Sequence, residues 1–153
     1  MSRSSLALVT LIADTREQEP FSFDSRLVVV ERRALPAGDY SVAGMECVVA
    51  VERKTLDDFV STVIHQRDRF RRELLKLAGY RAACLVVEAG LLEVLQGRYR
   101  GGAHPNAVLG SALAITLDYR IPVFFCSNRL ANPGAFWPAQ PAIRRGSGRA
   151  STN

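Results

Sequence analysis

The chain has 153 residues, of which 48% are hydrophobic and 23% are charged, as is ordinary for a globular protein with a single core. Its apolar runs are shorter than the roughly 20 residues of a membrane helix, and its first residues lack a secretory signal, so we expect no membrane partner and a cytoplasmic location. The net charge is +5, but residues 127–153 contain four arginines and no acid, which leaves +1 for the rest. Charge alone is therefore weak evidence for nucleic-acid binding.

The first half of the chain has the pattern of β-structure. Residues 6–13 and 27–30 are apolar and strand-like, and residues 40–42 and 46–52 predict a hairpin around Ala43-Gly44. Hairpin connections imply antiparallel pairing in this half of the sheet.

A helical region follows, and Thr55 is its predicted N-cap. Two apolar stripes have helical spacing, and Gly79 ends the second. The stripes are Leu56, Phe59, Val60, Val63 and Ile64, then Phe70, Leu74, Leu77 and Ala78. Residues 65–69 between them fit a kink, a loop or a continuous helix.

The second half alternates strands with helices, which predicts parallel pairing. Strands are expected at residues 84–88 and 121–126, a short helix at 91–95, and a mostly apolar, hence buried, helix at 106–120. We expect one domain over residues 1–130, and a flexible tail containing Pro, Gly and Arg over residues 131–153.

Carboxylates at strand ends and in turns carry the chemical signal, because a buried charge is costly unless it is paired. They are Asp14, Glu17, Asp39 and Glu52. Carboxylate oxygens suit Mg²⁺ or Mn²⁺, and such an ion activates water for attack on a phosphodiester. Side chains alternate along a strand, so Glu52 and Lys54 share one face while Arg53 points to the other.

Each of these residues also has a purely structural interpretation. Asp39 after a glycine fits a turn, Lys54 fits a surface position, and Asp58 fits a favourable charge at a helix N-terminus. Asp14 and Arg16 fit a surface ion pair of little energetic value. The conjunction of these residues favours the functional interpretation.

That conjunction resembles the XPF-type structure-specific endonucleases. The matching residues are Gly38-Asp39, Glu52-Arg53-Lys54 and Asp58 of the GD…ERKxxxD signature, and Asp14-Thr15-Arg16-Glu17 of an opening D-x-R-E segment. The resemblance runs from about residue 6 to residue 128. It implies an α/β fold with a restriction-endonuclease-like core, a central mixed β-sheet flanked by α-helices.

The resemblance also assigns roles to residues. Metal-ligand roles for Mg²⁺ or Mn²⁺ fall on Asp14, Asp39 and Glu52, and Lys54 becomes the catalytic lysine. Supporting catalytic roles fall on Arg16, Glu17, Arg53 and Asp58. We expect Arg53 to contact neighbouring acids or the strand end rather than the metal.

Many family members add a tandem helix-hairpin-helix module, for which this sequence has no room unless residue 127 onward begins a longer protein. We therefore expect a stand-alone nuclease domain. DNA contacts would then fall to other basic groups, chiefly the helix arginines Arg67, Arg69, Arg71 and Arg72. The spacing does not choose between Arg67 and Arg69 as the family's helix arginine, and a solvated helix face explains the four equally well.

The predicted function is metal-dependent endonucleolytic hydrolysis of DNA, at branched or otherwise structured sites in repair or recombination. The location would be the nucleoid in a prokaryote or the nucleus in a eukaryote. The family commonly forms homodimers or heterodimers through its late helices. The alternatives are a catalytically silent DNA-binding or scaffolding subunit, and a restriction- or resolvase-type nuclease with the same core.

Overall fold

The computed structural model describes residues 8–127, in which six strands form one sheet in the order β2-β1-β3-β4-β5-β6. The strands are β1 (Val9–Asp14), β2 (Val28–Arg33), β3 (Tyr40–Val42), β4 (Val49–Thr55), β5 (Ala82–Glu88) and β6 (Val123–Phe125). The helices are α1 (Leu56–His65), α2 (Arg67–Ala78), α3 (Leu91–Leu95) and α4 (Pro105–Asp118). This mixed sheet with flanking helices confirms the predicted fold class.

The pairing in the second half is parallel, as predicted, because helices carry the chain back between β4, β5 and β6. In the first half, β3 pairs antiparallel with β1 and β4, but β2 lies parallel to β1. The expectation of antiparallel pairing there was wrong for β2. Residues 15–27 are long enough for a crossover without a helix. Within them, Phe21 stacks on Tyr40 with ring centroids 5.4 Å apart.

One hydrophobic core lies between the helices and the sheet. All four helices contribute to it, and the sheet supplies Ala50, Leu85 and Val87. Strand alternation places Glu52 and Lys54 on the same face of β4 as Ala50. The polar end of β4 therefore continues directly from the apolar core.

Local signals set the boundaries of the first two helices. Thr55 is the N-cap of α1, and its Oγ1 accepts a hydrogen bond from the Asp58 backbone N–H at 3.2 Å. The region left open by the sequence is a break at Gln66 (φ −120°, ψ 36°), so α1 and α2 are separate helices. The break lets α2 change direction while both helices bury an apolar face.

Helix α4 departs from its prediction. It spans Pro105–Asp118, but Val108, Ala112 and Ile115 are its buried residues, whereas Leu113 and Leu117 are 62% and 74% exposed. The prediction of a buried helix was wrong because an all-round apolar pattern does not show which face meets the core.

Within residues 8–127, no helix is both long and apolar enough to cross a membrane. The predicted tail at residues 131–153 lies outside the described residues.

Candidate active site

Asp39 is held at the junction of three strands. Its backbone N–H donates to the Val51 carbonyl at 2.8 Å, and its own carbonyl accepts from the Asp14 backbone N–H at 2.8 Å. Gly38 makes this approach possible: it has φ +73°, and a Cβ there would lie 2.9 Å from the Val51 oxygen. The Gly-Asp pair of the signature is therefore a close-packed backbone contact that connects β1 to β4.

The Asp39 side chain accepts one strong hydrogen bond, from the Arg53 backbone N–H to Oδ2 at 2.7 Å. Burial raises the pKa of Asp39, and the nearby charges of Glu17 and Asp14 raise it further. A carboxylate in this position favours a neighbouring positive charge.

Glu52 lies close enough to Asp39 for the two charges to interact. Its side chain is 19% exposed, and burial raises its pKa to about 7, with repulsion from Asp39 as the second cause. These two acids destabilise each other in their ionised forms, which is the electrostatic condition that a bound cation relieves.

Lys54 supplies positive charge to this face of β4. Its Nζ lies 3.2 Å from Glu52 Oε1 and 3.7 Å from Glu73 Oε2, and 5.3 Å from the centre of the Phe70 ring. The side chain is 13% exposed, so the ammonium lies within the site rather than in bulk solvent. The structural interpretation of Lys54 as a surface residue was wrong.

Sequence reasoning missed Glu73 at this site. It lies on α2 within a stretch of arginines, where it reads as one half of a helical ion pair. An i,i+4 contact does join Glu73 Oε1 to Arg69 Nε at 3.4 Å. A signal was available in the spacing, because Glu73 lies about one helical turn from Phe70 and Leu77 and so flanks the buried face.

Asp14 differs from the other two acids. Only 1% of its surface is exposed, and both of its oxygens are engaged. Arg16 Nε donates to Oδ1 at 2.6 Å, and the Leu35 backbone N–H donates to Oδ2 at 2.7 Å. These contacts, with Arg16 first, hold the pKa of Asp14 well below its usual range despite its burial. The predicted ion pair with Arg16 exists, but Asp14 is buried rather than at the surface.

Arg53 points to the opposite face of β4, as the alternation predicted. Its guanidinium lies 3.0 Å from Glu17 Oε1 and bonds both the Glu88 carboxylate and the Glu19 carbonyl. Its Cζ also lies 4.6 Å from the centre of the Phe21 ring. The expectation that Arg53 contacts neighbouring acids is confirmed, and its partners fasten residues 17–21 to the sheet.

Asp58 occupies the first turn of α1. Thr55 Oγ1 donates to Asp58 Oδ2 at 2.7 Å, so its carboxylate completes the helix cap, as the structural interpretation expected. Asp58 also lies where two surface grooves meet. One is lined by Lys54, Ser61, Thr62, Gln66, Arg69, Phe70 and Glu73, and the other by Glu17, Gln18, Glu19 and Thr55; Arg53 and Asp58 line both.

The four helix arginines have different surroundings. Arg67 Nε donates to the Val63 carbonyl at 3.1 Å, at the end of α1, whereas Arg69 lines the groove beside Lys54. Arg71 and Arg72 are exposed. Helical geometry puts Arg69 and Arg71 on opposite flanks of the buried face of α2. The four arginines therefore do not form one continuous contact surface.

Comparison with known proteins supports the resemblance in the sequence. The family described as the ERCC4 domain matches residues 13–131. The chain belongs to the ERCC4 domain family. XPF from Aeropyrum pernix in complex with DNA matches with a TM-score of 0.63 and 28% identity, over 78% of this chain and 57% of that chain. A second structure of XPF from Aeropyrum pernix matches with a TM-score of 0.61, 27% identity and the same coverage.

A longer curated protein also contains a matching segment. "Putative ATP-dependent RNA helicase MJ1505" from Methanocaldococcus jannaschii is 32% identical over 120 residues, or 78% of this chain. The match covers 14% of that protein, so this ERCC4 domain corresponds to a small part of it.

The donor set of this ERCC4 domain fits a hard divalent cation at two of the three predicted ligands. Asp39 and Glu52 are partly desolvated carboxylates whose charges repel each other. Asp14 adds negative charge near Asp39, but its oxygens are engaged, and no three acidic, histidine or cysteine side chains in residues 8–127 form a ready metal cluster. The ligand roles of Asp14, Asp39 and Glu52 stay predictions.

Removing the charge of Glu52 should stabilise the cation-free domain at alkaline pH. Because burial raises the folded-state pKa of Glu52 to about 7, stability is lost as pH rises from the unfolded-state value through pH 7. We expect Glu52→Gln to raise the free energy of unfolding at pH 8 by about 1–2 kcal/mol, with little change at pH 4.5. Urea unfolding in EDTA measures both values. The exposed-site control Glu31→Gln should change stability by less than about 0.5 kcal/mol, and a less stable Glu52→Gln protein at pH 8 would contradict this account.

The opposite sign is expected for Asp14. Asp14→Asn weakens the contact with Arg16 and with the Leu35 N–H, and should lower the free energy of unfolding at pH 7 by about 1–3 kcal/mol. Because the folded-state pKa is lowered, the loss should shrink as pH falls below about 4. Asp24 is a matched control: it makes the same D-x-R contact with Arg26 in an exposed turn. Equal effects of Asp14→Asn and Asp24→Asn in urea unfolding would refute a special role for the buried carboxylate.

Proposed function

We propose that this ERCC4 domain is a metal-dependent DNA endonuclease that hydrolyses phosphodiester bonds. The observation that carries the proposal is the pair of repelling carboxylates, Asp39 and Glu52, with the Lys54 ammonium 3.2 Å from Glu52. The family and the likeness to XPF in complex with DNA support the reaction class and the substrate.

The acidic and basic residues of the site have different proposed roles. Asp39 and Glu52 would hold Mg²⁺ or Mn²⁺, which would polarise the phosphoryl oxygen and activate water. Lys54 orients the attacking water or balances charge that develops on the phosphate. The Asp14–Arg16 pair lies beside Asp39 and takes part in the site without contacting the substrate. Arg53 anchors residues 17–21 through Glu17.

Phosphate binding is proposed for the groove beside Lys54. Arg69 lines that groove, whereas the Arg67 guanidinium is bonded to the end of α1. Phosphate contacts of this kind position DNA without reading its sequence. We infer that the substrate is selected by shape, as in branched or otherwise structured DNA of repair or recombination.

Exposed leucines support the proposed dimer. Leu91, Leu92 and Leu95 of α3 and Leu113 and Leu117 of α4 are each more than half exposed. These leucines lie on two helices that contact each other, and exposed apolar patches mark interaction surfaces. We propose that this surface pairs with a second copy or a related subunit.

Cleavage assays test the reaction and its site. Labelled fork, flap, Holliday and linear duplex DNA are incubated with Mg²⁺, Mn²⁺ or EDTA. Asp39→Asn, Glu52→Gln and Lys54→Met should each lower the single-turnover rate at least about a hundredfold, because each removes charge that stabilises the transition state. The matched control is Lys76→Met, at the chain's other lysine, which is exposed on α2 and should keep the wild-type rate.

Two outcomes separate the alternatives. Metal-dependent cutting that survives the substitutions at Asp39 and Lys54 would place the active site elsewhere. Binding to structured DNA without any cutting would indicate the silent subunit instead.

The groove makes a separate prediction for DNA affinity. Arg69→Ala should weaken binding to a fork substrate several-fold and reduce the slope of log K against log salt by about 1, because one phosphate contact is lost. Arg71→Ala removes the same charge on the opposite flank of α2 and should have a much smaller effect. Fluorescence anisotropy in Ca²⁺ over a salt series measures both, and equal effects would show that α2 acts only as diffuse positive charge.

A further inference from the structure

We propose that Glu73 is a positioning residue that takes over the Lys54 ammonium when a divalent cation binds the Glu52 carboxylate. This inference rests on the proposed cation site at Asp39 and Glu52. It adds a role for an acid on α2 that lies outside the signature residues.

The geometry of Lys54 carries the proposal. Its Nζ lies between two carboxylates on different elements, 3.2 Å from Glu52 Oε1 on β4 and 3.7 Å from Glu73 Oε2 on α2. In this arrangement the ammonium is paired with the Glu52 carboxylate, which a divalent cation would need as a ligand. A cation and an ammonium at the same carboxylate oxygen repel each other, so cation binding must loosen the Lys54–Glu52 contact.

The Glu73 carboxylate is positioned to accept the displaced ammonium. Its Oε2 is already the next acceptor, so Lys54 needs only a small side-chain movement to change partner. The other oxygen, Oε1, lies 3.4 Å from Arg69 Nε, so the two oxygens of Glu73 face different cationic groups. The ring of Phe70 borders the ammonium and restricts its alternative positions.

The partner change would have a catalytic consequence. Lys54 held by Glu73 stays inside the groove, beside the carboxylates, rather than extending into solvent. The ammonium would then be in place for the phosphate only after the cation has loaded. Glu73 would thereby couple cation binding to the position of the catalytic lysine.

Cation binding without DNA tests the coupling apart from activity. Mn²⁺ binding to the full chain is measured by titration calorimetry and by electron paramagnetic resonance. Wild type should bind one Mn²⁺ that Asp39→Asn abolishes. Glu73→Gln should weaken that binding about five- to tenfold, because the ammonium then competes more strongly for Glu52. Asp68→Asn, which removes an exposed charge from the same helix, should change it less than about twofold.

A double-mutant cycle separates partner exchange from simple attraction between charges. Lys54→Met should tighten Mn²⁺ binding, because it removes the competitor. In the Lys54→Met background, the fold-loss of Mn²⁺ affinity caused by Glu73→Gln should be at least about three times smaller than in wild type. An equal cost in both backgrounds, or no cost in wild type, would overturn the proposal for Glu73 alone. Absence of a Mn²⁺ site that depends on Asp39 would instead overturn the proposed function, and the inference with it.

Discussion

The backbone hydrogen bonds of Asp39 constrain the whole site. They join the end of β1 to β4 through a residue that can approach so closely only because Gly38 lacks a side chain. These bonds bring Asp14, Asp39 and Glu52 to the same end of three neighbouring strands, where each carboxylate would be costly to bury alone. The arrangement of the other charged groups follows from the need to compensate these acids.

The compensation differs from one acid to the next. Asp14 is satisfied within the fold by Arg16 and by the Leu35 N–H, so its ionised form stabilises the native state. Asp39 and Glu52 have less compensation. Burial raises the pKa of each, with repulsion from Glu17 and Asp14 adding to it at Asp39 and repulsion from Asp39 adding to it at Glu52. A fold optimised only for stability would have no reason to keep such a pair. The unfavourable energy of the two ionised carboxylates is therefore the strongest physical argument for the proposal that Asp39 and Glu52 bind a cation.

The fold was predictable wherever short-range rules decide it. Thr55 caps α1 because a hydroxyl before an apolar helical stripe satisfies a free N–H, and alternation along β4 separates Arg53 from Lys54. The parallel pairing of β2 was not predictable in this way, because residues 15–27 contain no helix that would announce a crossover. The exposed face of α4 was equally hidden, since an apolar helix gives no sign of which side meets the core.

The site was predictable only as far as the signature residues themselves. Proximity in sequence brings Glu52, Arg53 and Lys54 together, but the engagement of Asp14 depends on Leu35, and the position of Glu73 depends on how α2 packs after the break at Gln66. Contacts of this kind are set by tertiary structure. In the sequence they look the same as ordinary surface ion pairs.

The alternation of β4 explains why its three consecutive charged residues serve different ends. Glu52 and Lys54 extend the helical face of the sheet into the proposed reaction site, beside Phe70 and Glu73. Arg53, on the reverse face, ties Glu17 and Glu88 to the same strand end. Its backbone N–H meanwhile donates to Asp39, so one residue supports both faces. A substitution of the Arg53 side chain would therefore leave the donor to Asp39 in place while removing the contacts with Glu17 and Glu88, which makes its side chain part of the site's scaffold.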